Sequence, residues 1–283
     1  MMVNYAAVEG RFPAIDEDAL AAVLGSFPVL GCSVEDSTAG LTRVVVYLAP
    51  GCEGFIDELV AALVGAGAEA TTVSSIKEQD WLRRYREVCR PFTVGSGWWM
   101  DPHPEAPTAA PPGRRRLVIE PRSAFGTGSH ESTRLLLLEL ERLPLAGRTV
   151  LDVGTGTGVL ALAAETLAAE TVVGFDVDVH SVFIARQTRA LQELESRVFY
   201  FAGTFPAIGE VTFDVVLCNM LWEHAGPLIP DLARCIAPGG VGLLSGFLVS
   251  QQPEVEAACS RHGLGAGRRG RLGEWMSLRV HHG

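Results

Sequence analysis

A glycine-rich segment, DVGTGTG at residues 152–158, has the composition of a turn that can hold a ligand. The segment before it, TVLDV, is typical of a short buried strand, and the segment after it, VLALAAETLA, is typical of a helix. Glycine permits a tight turn and lets a ligand approach the backbone closely. The helix that follows offers backbone N–H groups without a partner inside the helix. We therefore predict a ligand-binding turn in which Gly154 and Gly156 contact the ligand.

The spacing of these glycines distinguishes between two cofactors. A dinucleotide-binding turn has the pattern G-x-G-x-x-G, whose third glycine would fall where this chain has Val159. The predicted strand also ends in a carboxylate, Asp152, which would repel a pyrophosphate but attract a sulfonium or ammonium group. Both differences favour S-adenosylmethionine over NAD. A tight turn without any ligand stays an alternative.

Polar side chains also end two later strands that the sequence predicts. Asp176 lies at the end of Thr171–Val177, and Asn219 ends Phe213–Asn219. A carboxylate can accept hydrogen bonds from both hydroxyls of a ribose, and an amide carbonyl can accept one from a ligand amine. We predict that Asp176 binds the ribose of an adenosine and that Asp178 caps the next helix. For Asn219, a helix cap stays the alternative.

The elements that must position these residues follow from the alternation of strands and helices after Arg114. Such alternation predicts a doubly wound α/β sheet with a mostly parallel core, in which ligands bind beyond the carboxyl ends of the strands. The helix LIPDLARCIA is predicted to stop at PGG, residues 238–240, because proline and glycine terminate helices. Residues 263–282 predict a final hairpin with one antiparallel edge strand.

The first 75 residues predict a second, smaller domain. Strands are expected at roughly Asn4–Val8, Val29–Glu35, Leu41–Leu48 and Glu69–Ser75, and helices at Asp16–Leu24 and Gly54–Val64. Two strands around a helix, repeated, is the ferredoxin-like order. Trp81, Tyr85 and Val88 share one helical face, which predicts a linker helix over residues 76–90 before a catalytic domain at 91–283.

The composition favours a packed globular protein without a polyanionic partner. Of 283 residues, 48% are apolar and 20% are charged, which predicts a packed core. The net charge of −10 argues against sequence-independent binding of nucleic acid, which requires a basic surface. The sequence starts without a signal-peptide pattern, and no apolar run approaches the about 18 residues of a membrane helix. We predict a cytoplasmic monomer with no metal site and no direct contact with nucleic acid or membrane.

Several segments together resemble the PrmA family of bacterial methyltransferases, which act on the large-subunit ribosomal protein L11. These segments are AFGTGSH at 124–130, DVGTGTG at 152–158, GFDVD at 174–178, CNMLWEHAGPLIPDL at 218–232 and LLSGFL at 243–248. The resemblance extends upstream through DWLRRYREVCRPFTVGSGWWM. It implies a class I, Rossmann-like methyltransferase domain that depends on S-adenosylmethionine. It also implies that the small N-terminal ferredoxin-like α+β domain recognises the substrate.

The resemblance carries site residues over wherever they match the family pattern. It implies that Asn219 lies near the transferred methyl group as the catalytic residue. It also implies that AFGTGSHEST folds over the methionine end of the cofactor, with Thr127, His130 and Thr133 as contacts. For His130, a structural hydrogen bond stays the alternative. Together with the turn residues, the predicted cofactor-binding set is Thr127, Thr133, Asp152, Gly154, Gly156, Asp176 and Asn219.

The reaction that the resemblance implies is N-methylation of lysine side-chain or N-terminal amines in a large-subunit ribosomal protein. The chain departs from the family pattern at Glu131, which replaces a proline, at Ser132, which replaces a threonine, and at Met220, which replaces an isoleucine. The glycines, the acid and Asn219 of the predicted cofactor site remain despite these departures.

Trp222 and Glu223 can narrow or redirect the side from which the amine enters, so they bear on the identity of the substrate. A methyltransferase for another protein amine or a small molecule is the first alternative. A binding module without catalysis and an NAD-dependent oxidoreductase also stay open.

Overall fold

The structure of the protein is a computed structural model. It describes residues 4–13, 20, 23–24, 27–36, 41–48, 51–77, 90–104, 108–119, 128–192 and 197–282. The chain divides into two compact units, Met1–Val88 and Cys89–Gly283. The predicted linker helix over residues 76–90 lies almost entirely outside the described residues, as do Trp81, Tyr85 and Val88.

The N-terminal unit contains a four-stranded antiparallel sheet. Its strands are β1 (Asn4–Phe12), β2 (Val29–Asp36), β3 (Thr42–Leu48) and β4 (Ala70–Lys77), and helix α1 (Ile56–Gly65) lies between β3 and β4 in the chain. The strands are ordered β2-β3-β1-β4, which confirms the predicted ferredoxin-like domain. Of the predicted helix Asp16–Leu24, the structure describes Leu20, Val23 and Leu24, and all three are helical.

One side of helix α1 forms the core of this unit. Leu59 and Leu63 lie one turn apart on the helix and are both 0% exposed. They belong to one cluster with Val8 of β1 and with Val44 and Val46 of β3. Val44, Val46 and Leu48 alternate along β3 and all belong to this cluster, so one face of the sheet is directed towards the helix.

The C-terminal unit contains a seven-stranded sheet with helices on both faces. Its strands are β8 (Thr149–Val153), β9 (Thr171–Asp176), β10 (Val198–Ala202), β11 (Phe213–Asn219), β12 (Ile236–Leu248), β13 (Leu264–Leu272) and β14 (Trp275–His282). Its helices are α2 (Glu131–Leu140), α3 (Val159–Thr166), α4 (Val179–Ala190), α5 (Trp222–Ala225), α6 (Ile229–Cys235) and α7 (Gln252–Arg261). A smaller sheet of β5 (Phe92–Val94), β6 (Trp98–Asp101) and β7 (Arg115–Val118) precedes them.

The strand order of the large sheet is β10-β9-β8-β11-β12-β14-β13. The first five strands are parallel, which confirms the predicted doubly wound sheet and its class I methyltransferase architecture. The final hairpin is also present, but both of its strands are antiparallel to their neighbours, and β14 lies between β12 and β13. Because β13 is antiparallel to β14, it runs in the same direction as β12, so β14 is the single antiparallel strand among the seven. The predicted number of antiparallel strands is confirmed, but its predicted edge position was wrong, since β13 occupies the edge.

Helix α6 ends earlier than the sequence suggested. It ends at Cys235, and Ile236 is already extended and pairs with Phe213 of β11. The predicted stop at residues 238–240 was too late for two reasons. The residue before Pro238 is disfavoured in helical conformation, and Ile236 is buried in the sheet with 2% exposure. The residues 237–240 instead form an irregularity in β12 between two regular pairs.

Candidate active site

The glycine-rich turn joins β8 to α3 at the carboxyl edge of the sheet, as predicted. Gly154, Gly156 and Gly158 all have positive φ, at 68°, 54° and 81°. The N–H groups of Gly154 and Thr155 both donate to the carbonyl of Phe175 on β9, at 2.9 and 3.0 Å. A Cβ on Gly154 would lie 2.9 Å from the sulfur of the flexible Met220 side chain, so the positive φ is the main reason why this position favours glycine.

Asp152 supports this turn from beneath and has little surface to offer a ligand. Asp152 is 1% exposed, and its Oδ2 accepts a hydrogen bond from Thr155 Oγ1 at 2.7 Å. Burial raises the pKa of Asp152 to about 6, and the hydrogen bonds from Thr155 and from the backbone of Ala161 oppose that rise. We therefore assign Asp152 to holding the turn, whereas the sequence had suggested direct contact with a cationic ligand.

The raised pKa of Asp152 predicts how stability depends on pH. An acid whose pKa is higher in the folded than in the unfolded state stabilises the fold while protonated, and this contribution is lost as pH rises from 3.8 through about 6. An Asp152→Asn variant does not show this loss. The free energy of unfolding of the wild type should therefore decrease by about 3 kcal/mol relative to that of the variant across this pH range. Urea unfolding of both proteins at several pH values from 4 to 7 measures the difference.

Asp178→Asn is the matched control for this experiment. Hydrogen bonds from His180 and Ser181 hold the pKa of Asp178 below its ordinary 3.8 against the opposing effect of burial. The contribution of Asp178 to stability is therefore lost only as the pH falls below 3.8. Above that pH, the stability of the Asp178→Asn variant should change with pH in the same way as that of the wild type. Equal pH slopes for the wild type and Asp152→Asn would contradict the assignment of a buried carboxyl under the turn.

Asp176 ends β9 and links that strand to the glycine turn. Its Oδ2 accepts from the N–H of Gly156 at 3.1 Å, and its Oδ1 accepts from the N–H of Asp178 at 3.0 Å. Asp178 is the N-cap of α4 and accepts from the N–H groups of His180 and Ser181. The predicted division between a capping Asp178 and an available Asp176 therefore agrees with the geometry, since the Asp176 carboxylate stays partly exposed at the sheet edge.

Asn219 ends β11 and is held by a residue far away in the sequence. Its Nδ2 donates to Thr133 Oγ1 at 3.0 Å, and Thr133 is 0% exposed in the first turn of α2. Asn219 Oδ1 is buried and has no hydrogen-bond partner in the described part of the chain. The alternative role as a helix cap is wrong, because Leu221 is the N-cap of α5 and no side chain caps it. Asn219 therefore presents a fixed, unused acceptor.

The segment before α2 has a partly structural role. His130 is the N-cap of α2, where its Nδ1 accepts from the N–H of Ser132 and lies 2.8 Å from Ser132 Oγ. Its ring also packs edge-on against Trp275 at a centroid distance of 4.6 Å. His130 thus has a capping role through Nδ1, and its contact with the cofactor stays a prediction. Thr127 lies outside the described residues.

Two apolar residues at this edge are further candidates that the sequence reasoning did not single out. Val177 directly follows Asp176 and is 73% exposed, although it is a large aliphatic side chain. Met220 follows Asn219, donates its N–H to the carbonyl of Ser245 at 3.1 Å, and places its sulfur against Gly154. Val177 could have been found from its position after the strand-end acid. The role of Met220 depends on how β11 and the turn meet, which the sequence alone does not contain.

A family model described as ribosomal protein L11 methyltransferase (PrmA) matches residues 31–282. The chain belongs to this family. The ribosomal protein L11 methyltransferase of Geobacter sulfurreducens is 39% identical over 226 residues, which are 80% of this chain and 74% of the relative. That of Pseudomonas aeruginosa strain UCBPP-PA14 is 38% identical over 208 residues, covering 72% of this chain and 68% of the relative.

A solved structure agrees with the fold. The crystal structure of ribosomal protein L11 methylase from Lactobacillus delbrueckii subsp. bulgaricus has a TM-score of 0.63 and 27% sequence identity, and it covers 69% of this chain and 99% of that chain. The PrmA membership of this chain thus rests on both sequence and structure. Its class I domain provides the methyltransferase scaffold on which the turn, Asp176 and Asn219 lie.

The described residues lack two other kinds of feature, a membrane-spanning helix and a metal site. None of the helices in those ranges is long and apolar enough to cross a membrane. In the same part of the chain, no group of three or more His, Cys, Asp or Glu side chains is arranged to hold a metal ion.

Proposed function

We propose that this member of the PrmA family methylates amines of ribosomal protein L11, on lysine side chains or at the N-terminus, with S-adenosylmethionine as the methyl donor. Family membership supports the reaction, and one observation carries the role of the site. Asn219 Oδ1 is a buried carbonyl without a donor, at the edge where the glycine turn lies. An unsatisfied buried acceptor costs about 1–3 kcal/mol, and a bound amine would remove that cost.

The residues at this edge fit S-adenosylmethionine, which would supply the methyl group as a sulfonium electrophile. Asp176 would accept hydrogen bonds from the ribose hydroxyls, because its carboxylate is partly exposed. Val177 would cover a face of the adenine, which explains why an aliphatic side chain is 73% exposed there. Gly154 and Gly156 would bring the turn backbone close to the cofactor, and Thr127 would contact its methionine end.

Asn219 would orient the amine, and Thr133 would keep Asn219 in the required position. Because Thr133 Oγ1 accepts from Nδ2, the amide offers its carbonyl oxygen to the site. An amine that donates an N–H to this oxygen can direct its lone pair at the methyl group. The amine must be neutral, although lysine ordinarily has a pKa of about 10.4. A site that excludes water disfavours the ammonium form and lowers that pKa.

The N-terminal unit is proposed to select the ribosomal protein. The proposed bounds are 1–75 for this domain, 76–90 for a linker helix and 91–283 for the catalytic domain. The described residues that would bind the cofactor and the amine all lie in the C-terminal unit. Recognition of a protein substrate can therefore be assigned to the other domain without changing the chemistry. The protein is proposed to act in the cytoplasm as a monomer, without direct contact with nucleic acid.

Mass spectrometry of ribosomal protein L11 after incubation with the enzyme and S-adenosylmethionine tests this function. We expect mass increases in units of one methyl group, located on lysine or N-terminal amines. A chain without residues 1–75 should lose this activity but still bind S-adenosylhomocysteine, which also shows that the remaining domain is folded. If L11 stays unmodified while a small amine is methylated equally well by both chains, the protein substrate is wrong and the small-molecule alternative is supported.

A further inference from the structure

A cavity lies at the end of the large sheet opposite the candidate active site. Its volume is about 440 Å³, and its walls are three glycines, Val241, two arginines and two histidines. Val241 precedes Ser245 by four residues on β12, and Ser245 pairs with Asn219. Four strand residues span about 13 Å, so this cavity is separate from the site around Asn219.

Two irregularities in the sheet form the cavity. On β13 the register shifts between Ala266 and Arg269, so that Gly267 and Arg268 both lie opposite Arg279 of β14. On β12 the residues 237–240 bulge away from the regular pairing with β11. Bulges re-aim side chains and often lie beside functional sites. Here they open a gap whose backbone wall contains glycines, so that a ligand can approach it closely.

One of the two arginines that line the cavity has no acidic partner in the described part of the chain. The guanidinium group of Arg279 forms no ion pair or hydrogen bond with any residue in the described ranges. Arg268 contacts Glu139 at 3.0 Å, but the same carboxylate also contacts Arg142 at 3.1 Å. No acidic residue lines the cavity in the described part of the chain. In a protein of net charge −10, residues 261–282 contain five arginines and one glutamate.

The two histidines add further polar groups at the same place. His281 and His282 end β14 and both line the cavity. His282 Nε2 lies 3.1 Å from the carbonyl of Ala233 and 3.2 Å from that of Ile236, so it donates to the backbone and its ring is held in place. His281 is exposed and lies beside Gly265 and Gly267. Arginine and histidine side chains therefore bring donors to a cavity whose other lining residues are glycines and a valine.

We propose that this cavity binds a phosphate-bearing anion of the size of pyrophosphate or a nucleoside phosphate. The guanidinium group presents N–H donors in a planar fork that matches phosphate oxygens. The volume lies within the range of small-molecule sites and exceeds what a single phosphate needs. Val241 is the one aliphatic residue of the wall, which disfavours an apolar acid as the ligand. The site is independent of methyl transfer.

Calorimetric titration of pyrophosphate into the full chain, at ionic strength held constant with sodium chloride, tests this proposal. Arg279→Gln should weaken binding about tenfold or more, because charge-assisted hydrogen bonds to the anion are lost. Arg271→Gln is the matched control, since Arg271 is on the same hairpin, is exposed and bonds to the carbonyl of Gly273 outside the cavity. It removes the same charge and should change the affinity by less than about twofold.

Absence of pyrophosphate binding by the wild type would overturn the proposal, as would an equal loss in Arg271→Gln, which would indicate diffuse attraction. Circular dichroism checks that Arg279→Gln is folded. If it is not, His281→Ala replaces it, because His281 is exposed, and it should weaken binding several-fold. A second titration with a short single-stranded RNA, competed by pyrophosphate, distinguishes the phosphates of a nucleic acid from a free anion. No methyl donor is present, so failure here leaves the proposed methyl transfer untouched.

Discussion

An Asn219→Ala variant is expected to transfer methyl groups about a hundred- to a thousandfold more slowly than the wild type. The variant removes the one fixed acceptor that the site presents, Asn219 Oδ1, which is buried and has no partner in the described residues. An amine that is no longer oriented by this oxygen would sample many directions relative to the methyl group. Single-turnover rates with a radiolabelled methyl donor and saturating ribosomal protein L11 measure the effect.

The affinity for S-adenosylhomocysteine should change only a few-fold in the same variant, because Asp176 and the turn are untouched. Thr133→Val provides a graded comparison. It removes the acceptor at 3.0 Å that holds Asn219 Nδ2, and a loss of about tenfold in rate is expected. Thr133→Ser keeps the hydroxyl and should restore most of the activity. If Asn219→Ala were to retain the wild-type rate, the amine would have to be oriented by another group.

Replacing Asp176 by alanine is expected to weaken the binding of S-adenosylhomocysteine about a hundredfold or more. Two ribose hydroxyls would lose a charged acceptor, and the N–H of Gly156, now 3.1 Å from Asp176 Oδ2, would lose its partner in the turn. Both losses act on binding, so the rate at saturating cofactor should fall much less than the affinity. Isothermal titration calorimetry of the purified variant measures the change.

Asp178→Ala is the matched control for Asp176→Ala. It removes a carboxylate only two residues away, but that carboxylate caps α4 through His180 and Ser181. Loss of the cap should cost about 1 kcal/mol of stability and leave the affinity almost unchanged. Equal losses of affinity in the two variants would mean that general electrostatics, and not a ribose contact, explains the effect of Asp176.

The parallel half of the fold could be predicted from the sequence because its signals are local. β8, β9 and β11 are each a short apolar run followed by a glycine or polar turn and then a helix, and neighbouring segments suffice to identify them. The place of β14 could not be predicted in this way, because it depends on pairs such as Ser245 with Ser277, which are far apart in the chain. The end of α6 was missed for the same reason, since Ile236 pairs with Phe213.

In the candidate site, too, local contacts could be predicted from the sequence and long-range contacts could not. Asp178 could be distinguished from Asp176 in advance, because an N-cap bonds to N–H groups two and three residues later. The burial of Asp152 could not, because it arises when the turn folds back and brings Thr155 and Ala161 onto the carboxyl group. The contact between Asn219 and Thr133 spans 86 positions. Only the resemblance to a family brought these two residues together before the structure did.

The position of β14 has a consequence for synthesis of the protein. β14 separates β12 from β13 in the sheet, although it follows both in the chain. While a nascent chain leaves the ribosome, β12 can pair with β11, but its other edge stays open until residues 275–282 have emerged. An open edge of this kind is a template for pairing with another polypeptide. If translation stops before residue 275, the released chains would therefore be prone to aggregate, even when their parallel strands are correctly paired.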